Sequence, residues 1–130
     1  MASLTAERIT REFAGRTISV TAGADIFAGA MVAVSAGVAV PATSALAPAG
    51  VAQETVTSGG VLRIKEGNFG FDNDTTSAVS STDLGKDVYV KDDHTVTADG
   101  AVVSGAATNA VAGKFLGFDD NSQAIVRITV

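Results

Sequence analysis

The sequence has no cysteine and no tryptophan, and its 130 residues include one histidine and one tyrosine. Without cysteine the chain has no disulfide framework, no thiolate metal ligand and no cysteine nucleophile. A single histidine excludes metal sites built from several imidazoles. The scarcity of aromatic side chains, 5% of the total, disfavours a sugar-binding cleft. We therefore expect no enzymatic activity, no catalytic residue, no metal site and no cofactor.

Small and β-branched residues dominate the amino-acid composition. Alanine, valine, threonine, glycine and serine together account for 78 of the 130 residues, and only two residues are proline. This composition is typical of thin, closely packed sheets, since valine and threonine favour strands and glycine favours turns. The length suits one domain, or one domain with an arm.

The charge is acidic and unevenly distributed. The net charge is −5, and the segment Glu66–Asp93 holds seven acidic residues against two lysines while the remainder is balanced. An acidic middle argues against nucleic acid as a partner, because phosphate contacts need clustered Lys or Arg. The sequence lacks an apolar run long enough for a transmembrane helix and lacks the apolar core of a signal peptide at Met1–Arg8. We expect no membrane partner and synthesis in a cytoplasm.

Alternation of apolar and polar residues predicts strands along most of the chain. The clearest segments are 17–21, 31–35, 38–40, 61–65, 87–91, 94–97, 115–118 and 124–130. Ala36-Gly37 predicts a tight hairpin turn in which Gly37 takes a positive φ. About eight short strands with frequent turns indicate an all-β fold, either a small β-barrel or a β-sandwich. The chain shows no internal repeat of fixed period, and we interpret Thr75–Asp83 as an exposed loop with almost no hydrophobic anchor.

The first 15 residues differ from the rest and form a predicted N-terminal arm, followed by a β-rich domain over 16–130. Terminal arms commonly become ordered on a partner. Five residues in or near this arm are candidate partner-binding residues, because they are cationic or aromatic and lie where the domain core is not expected to reach: Arg8, Arg11, Phe13, Arg16 and Phe27.

Three polar clusters are candidates for metal binding or catalysis. Asp72, Asp74 and Asp83 have spacings found in calcium loops, but Ser77 stands where such a loop needs glycine, and a polar turn is the simpler interpretation. The Asp119-Asp120-Asn121 segment is a second polar turn with the same alternative. His94 has acidic neighbours, yet the sequence lacks a Gly-x-Ser-x-Gly elbow, so we expect a solvated histidine at a strand start.

The order of short motifs resembles the capsid decoration, or head cement, proteins of tailed bacteriophages and prophages. The similarity covers about residues 16–130 and consists of glycine-marked turns alternating with valine-rich strands. The segments that carry it are Ala28-Gly29-Ala30-Met31-Val32-Ala33-Val34, Gly37-Val38-Ala39-Val40-Pro41, Gly50-Val51-Ala52, Gly59-Gly60-Val61, Gly85-Lys86-Asp87-Val88-Tyr89-Val90, Thr95-Val96-Thr97, Ala112-Gly113-Lys114-Phe115-Leu116-Gly117 and Ala124-Ile125-Val126-Arg127-Ile128.

This resemblance implies a non-enzymatic structural protein of the virion. Such proteins bind the outer capsid surface, commonly as homo-trimers, and bridge neighbouring subunits of the major capsid protein. On this reading, the arginines of the arm pair with acidic capsid loops and the acidic stretch faces outward. The alternatives are another structural part of a phage, such as a head-fibre base or tail accessory protein, and a small non-enzymatic binding module.

Overall fold

The computed structural model describes residues 17–105 and 107–129, and this part of the chain is almost entirely β. Its only helical element is a short 3₁₀ turn over Ser81–Asp83. The strands are β1 (Thr17–Thr21), β2 (Met31–Ser35), β3 (Val38–Pro41), β4 (Gly50–Ala52), β5 (Val61–Lys65), β6 (Gly67–Asn73), β7 (Asp87–Asp92), β8 (Thr95–Thr97), β9 (Val111–Phe118) and β10 (Ala124–Ile128). The predicted all-β fold is confirmed, with ten strands in the described residues where about eight were expected.

The strands form a five-stranded sheet and a closed five-stranded barrel. The sheet has the order β1-β5-β4-β2-β3, and the barrel has the order β10-β6-β8-β7-β9. All ladders are antiparallel except β6 with β8, which is parallel. The two additional strands are β4, which is only three residues long, and β6, in which Phe69 and Phe71 face the same side.

Two hydrophobic clusters lie on opposite faces of the sheet. Met31 and Val51 point to the barrel and join the cluster around Phe115, Val88 and Val96. Val32, the next residue on β2, points the other way into a cluster that contains Leu62, Ile64 and Ile26. Because consecutive strand residues face opposite sides, β2 contributes to both cores and connects them.

Two segments of the sheet, 20–35 and 50–65, repeat the same hydrogen bonds at an offset of 30 residues. Ala22 N donates to Gly60 O (2.7 Å) and Ala22 O accepts from Gly59 N (2.8 Å). In the second copy, Ala52 N donates to Ala30 O (2.9 Å) and Ala52 O accepts from Gly29 N (2.9 Å). Ile26 and Val56, also 30 apart, exchange both backbone bonds with each other. The sequence shows no repeat at this offset because few residue types recur, but the backbone hydrogen-bond pattern does recur.

The segment Thr75–Asp83 is mostly exposed, as predicted, but one residue anchors it to the core. Val79 is buried in the cluster that fills the barrel. Asn73 holds it there, since its Oδ1 accepts from Val79 N (2.8 Å) and its Nδ2 donates to Val79 O (2.9 Å). A single valine in a stretch of small and polar residues carries no periodic signal, so the sequence pattern missed this contact.

Candidate interaction surface around Phe27

Phe27 is the first residue of a tight turn that connects Ile26 to β2. Ala30 N donates to Phe27 O (3.2 Å), and Gly29 takes a φ of 90°, the arrangement of a type II turn. Ile26 is fully buried, whereas Phe27 is 71% exposed. The backbone bonds of Ile26 to Val56 fix one side of the turn. A large aromatic side chain is thus held in solvent by an anchored backbone.

A second loop packs beside this turn. Asp93 O, in the connection between β7 and β8, accepts a hydrogen bond from Met31 N (2.7 Å). The two loops border a shallow groove lined by Phe27, Ala28, Gly29, Ala30, Asp93 and His94. The turn at Phe27 forms the apolar side of the groove. Asp93 and His94 form the other side, which carries the charged groups.

His94 forms an ion pair with both preceding carboxylates when it is protonated. Its Nδ1 is 2.9 Å from Asp93 Oδ1 and 3.1 Å from Asp92 Oδ1. The hydrogen bond to Asp93 raises the pKa of His94 above its usual value, and the negative charges of Asp92, Asp93 and Asp72 act in the same direction. The imidazole is largely exposed, as predicted, and it lies at the edge of the groove.

Asp74 has a structural role, in contrast to the exposed acids. It is buried, and it accepts hydrogen bonds from Lys91 Nζ (2.6 Å) and Thr97 Oγ1 (3.0 Å). The backbone N–H groups of Thr76 and Ser77 supply two more donors. The ammonium group of Lys91, followed by these other donors, holds the pKa of Asp74 well below its usual range. Asp74 thereby ties the loop after β6 to β7 and β8.

The aspartates of the remaining polar clusters also accept hydrogen bonds from backbone N–H groups. Asp83 Oδ2 accepts from Ser80 N (2.9 Å) at the start of the 3₁₀ turn, so this carboxylate caps the turn. Asp119 Oδ1 accepts from Asn121 N and Gln123 N, both at 2.9 Å. Both arrangements are side chain–backbone turns of the kind proposed as the simpler interpretation.

Several exposed apolar residues were not singled out from the sequence. Leu84, Val102 and Val103 are each more than 60% exposed, and Leu116 and Phe118 are each 42% exposed. Val102 and Val103 precede a turn in which Ser104 and Gly105 have positive φ. The signal available in the sequence was the position of these valines between Gly100 and Gly105, since an apolar pair in a glycine-bounded loop has no core to enter.

Of the five candidate partner-binding residues, the structure places only Phe27. Arg8, Arg11, Phe13 and Arg16 lie outside the described residues. No helix in the described part of the chain is long and apolar enough to cross a membrane.

Comparisons with family models, with curated proteins and with solved structures found no match.

Proposed function

We propose that this chain is a structural virion protein that binds the outer surface of a tailed-phage capsid and cements neighbouring copies of the major capsid protein. In this proposal it acts as a homo-trimer, without catalysis or a cofactor, after assembly in the bacterial cytoplasm. The proposal rests on the motif resemblance described above and on one structural observation, the exposed Phe27 on its anchored turn.

Phe27 has the properties of an interface anchor. Aromatic side chains dominate binding free energy when they enter a pocket on a partner. A side chain on a fixed turn loses little conformational entropy on binding, because its backbone is already ordered. The bonds of Ile26 to Val56, together with the hydrogen bond from Ala28 N to Thr55 Oγ1 (3.0 Å), provide this order.

The groove beside Phe27 refines the orientation that the resemblance implies. Asp93 and His94 line the same groove as Phe27, so this part of the acidic stretch belongs to the proposed interface instead of facing outward. A complementary capsid surface would offer an apolar socket with a lysine or arginine at its rim. Charges at a rim act mainly on association rate and salt dependence.

Cementing a shell requires many modest contacts. Each copy contributes one anchor, and a trimer would engage three neighbouring capsid subunits at once, so that weak individual contacts become strong through effective concentration. A compact β domain with two cores provides a rigid spacer for such contacts.

The test uses purified capsids from a tailed phage that encodes this chain, stripped of it and incubated with recombinant protein. We expect wild-type protein to bind, to appear in electron micrographs at threefold positions, and to raise the temperature at which capsids break. Phe27→Ala is expected to weaken binding about thirtyfold, the effect of losing an aromatic anchor worth about 2 kcal/mol.

Val61→Ala is the matched control, because Val61 is 63% exposed on β5 and lies outside the groove. It should bind like wild type. Failure of the wild-type protein to bind capsids would overturn the proposed function. Equal binding by Phe27→Ala would overturn the role of Phe27 alone.

A further inference from the structure

Two cationic side chains face each other on the outer side of the barrel. Arg127 on β10 lies directly opposite Lys114 on β9, and both residues are exposed. Lys114 also lies opposite Asp87 on β7, and its Nζ is 2.7 Å from Asp87 Oδ1. Asp87 thus compensates the lysine, whereas Arg127 forms no ion pair with any residue that the structure describes.

This arrangement is unfavourable in an isolated chain. Like charges directly opposite each other on neighbouring strands repel, and Asp87 balances only one of the two cations. One excess positive charge therefore remains at this place, although the chain as a whole has a net charge of −5. A single carboxylate from outside would balance it, since arginine binds a carboxylate through two parallel hydrogen bonds.

The two cations border a pocket with room for such a carboxylate. Arg127 and Lys114 line a pocket of about 320 Å³ at the end of the barrel where β9 begins. Pro48, from the loop between β3 and β4, and Val111, at the start of β9, line the same pocket, and Val111 is partly exposed. The pocket therefore fits an acidic side chain that has an apolar neighbour.

The turn between β9 and β10 presents this combination. Asp120 is exposed there, and it is the only acidic residue in the described part of the chain that makes no hydrogen bond or other polar contact within it. The turn is ordered, because Asp119 Oδ1 accepts hydrogen bonds from two backbone N–H groups. Phe118, two residues before Asp120, is also exposed, and its ring packs edge to face on the buried Phe115.

We propose that copies of this chain associate head to tail, with Asp120 of one copy bound to Arg127 of the next. The unpaired carboxylate then meets the excess cation, and Phe118 lies against Val111. The turn and the pocket are at opposite ends of the β9–β10 pair, so the contact is heterologous, and such contacts close into a ring when the rotation between copies allows it. The inference rests on the proposed homo-trimer only for the number of copies in the ring.

The contact joins groups that are exposed in the free chain, so a single contact is weak. We expect a dissociation constant of about 1 mM, which leaves the free chain monomeric at micromolar concentration. Copies bound side by side on a capsid would have a higher effective concentration, and the contact would form there.

The experiment is sedimentation equilibrium of the full-length protein up to about millimolar concentration, where wild type is expected to associate. Arg127→Glu and Asp120→Lys should each weaken association at least about tenfold, because each brings like charges together. The double variant restores opposite charges and should associate again. Lys86→Glu is the matched control, because Lys86 is an exposed cation outside the pocket, and it should associate like wild type.

A mixture of the two single variants tests the head-to-tail order. Asp120→Lys keeps an intact pocket and Arg127→Glu keeps an intact turn, so the mixture should form one-to-one pairs although neither variant associates by itself. Arg127→Glu should also have a higher Tm than wild type at micromolar concentration, because it removes the repulsion from Lys114. A loss of association caused by misfolding would lower the Tm instead.

Two outcomes would overturn the proposal: a wild-type chain that stays monomeric at about 1 mM, or single variants that associate as strongly as wild type. Capsid binding is measured separately from self-association. Loss of capsid binding with self-association intact would therefore overturn the proposed function and leave this contact standing.

Discussion

At the scale of single residues, the acidic side chains have two distinct functions that the sequence does not separate. Asp74 is buried and accepts hydrogen bonds from four donors, including Lys91 and Thr97. Asp92 and Asp93 lie at the surface and share the imidazole of His94. All three belong to one acidic stretch in the sequence, and only their burial determines which of them stabilises the fold.

His94 is expected to titrate above pH 6.5, because the hydrogen bond to Asp93 and the surrounding negative charge raise its pKa from that value. The chain has a single histidine, so its ring protons give one unambiguous resonance whose pH titration measures the pKa. Asp93→Asn should move the midpoint down. The favourable contribution of the protonated imidazole to stability is complete below pH 6.5 and is lost as pH rises through the raised pKa.

Asp120→Asn provides the control for this titration, since Asp120 is an exposed acid in a different turn. It should leave the midpoint of His94 in place. A wild-type midpoint at or below pH 6.5 would show that the imidazole does not share a proton with Asp93 in solution.

Asp74→Ala is expected to lower the Tm by about 5 °C at pH 7, because it removes the acceptor for Lys91, Thr97 and two backbone amides. The pKa of Asp74 is depressed, so its contribution is present above the ordinary aspartate value of 3.8 and is lost as pH falls below it. The difference in Tm between wild type and variant should therefore shrink between pH 4 and pH 2. Calorimetry across this range measures both effects, with Asp120→Ala expected to match wild type at pH 7.

At the scale of elements, closure of the barrel depends on how closely β9 approaches β10. A Cβ atom at Gly113 would overlap the carbonyl oxygen of Arg127. Further along β9, Gly117 has a φ of 115°, next to the register shift between the two strands. Gly113 permits the close approach of the two backbones, and Gly117 accommodates the bulge.

Gly113→Ala is expected to destabilise the protein by at least about 2 kcal/mol, since the two strands must separate to admit one methyl group. Urea unfolding at pH 7 measures this. Gly85→Ala is the matched control: Gly85 has a φ of 80° and open space around its Cα, so the cost should be only about 1 kcal/mol of backbone strain. Equal effects of the two substitutions would contradict the close approach at Gly113.

At the scale of the whole molecule, the sheet joins two cores and carries a repeated backbone unit. The turn at Phe27 and the turn at Thr57 occupy equivalent positions of this repeat, 30 residues apart. Their side chains differ, however, and only Phe27 is a large exposed apolar residue of the two. The repeat therefore explains the geometry that presents Phe27, while the choice of phenylalanine explains why one turn and not the other is suited to an apolar socket.

The strands and the simplest turns could be predicted from the sequence because their causes are local. Alternation in Thr17–Thr21 and Val61–Lys65 sets the face that each side chain occupies. The Ala36-Gly37 turn was predicted correctly, and Gly37 has a φ of 81°. β4 was missed because a strand of three residues contains too little alternation to be recognised.

The sequence by itself determined that the chain is all-β, that it has no cysteine chemistry, and that its acids cluster in the middle. Only the tertiary structure decided that β2 serves two cores, that Val79 is buried, that Asp74 is paired, and that the loop of Asp93 and His94 borders Phe27. The physical reason is distance along the chain. Composition and alternation act between near neighbours, whereas the groove exists because hydrogen bonds such as that from Met31 N to Asp93 O join segments about sixty residues apart.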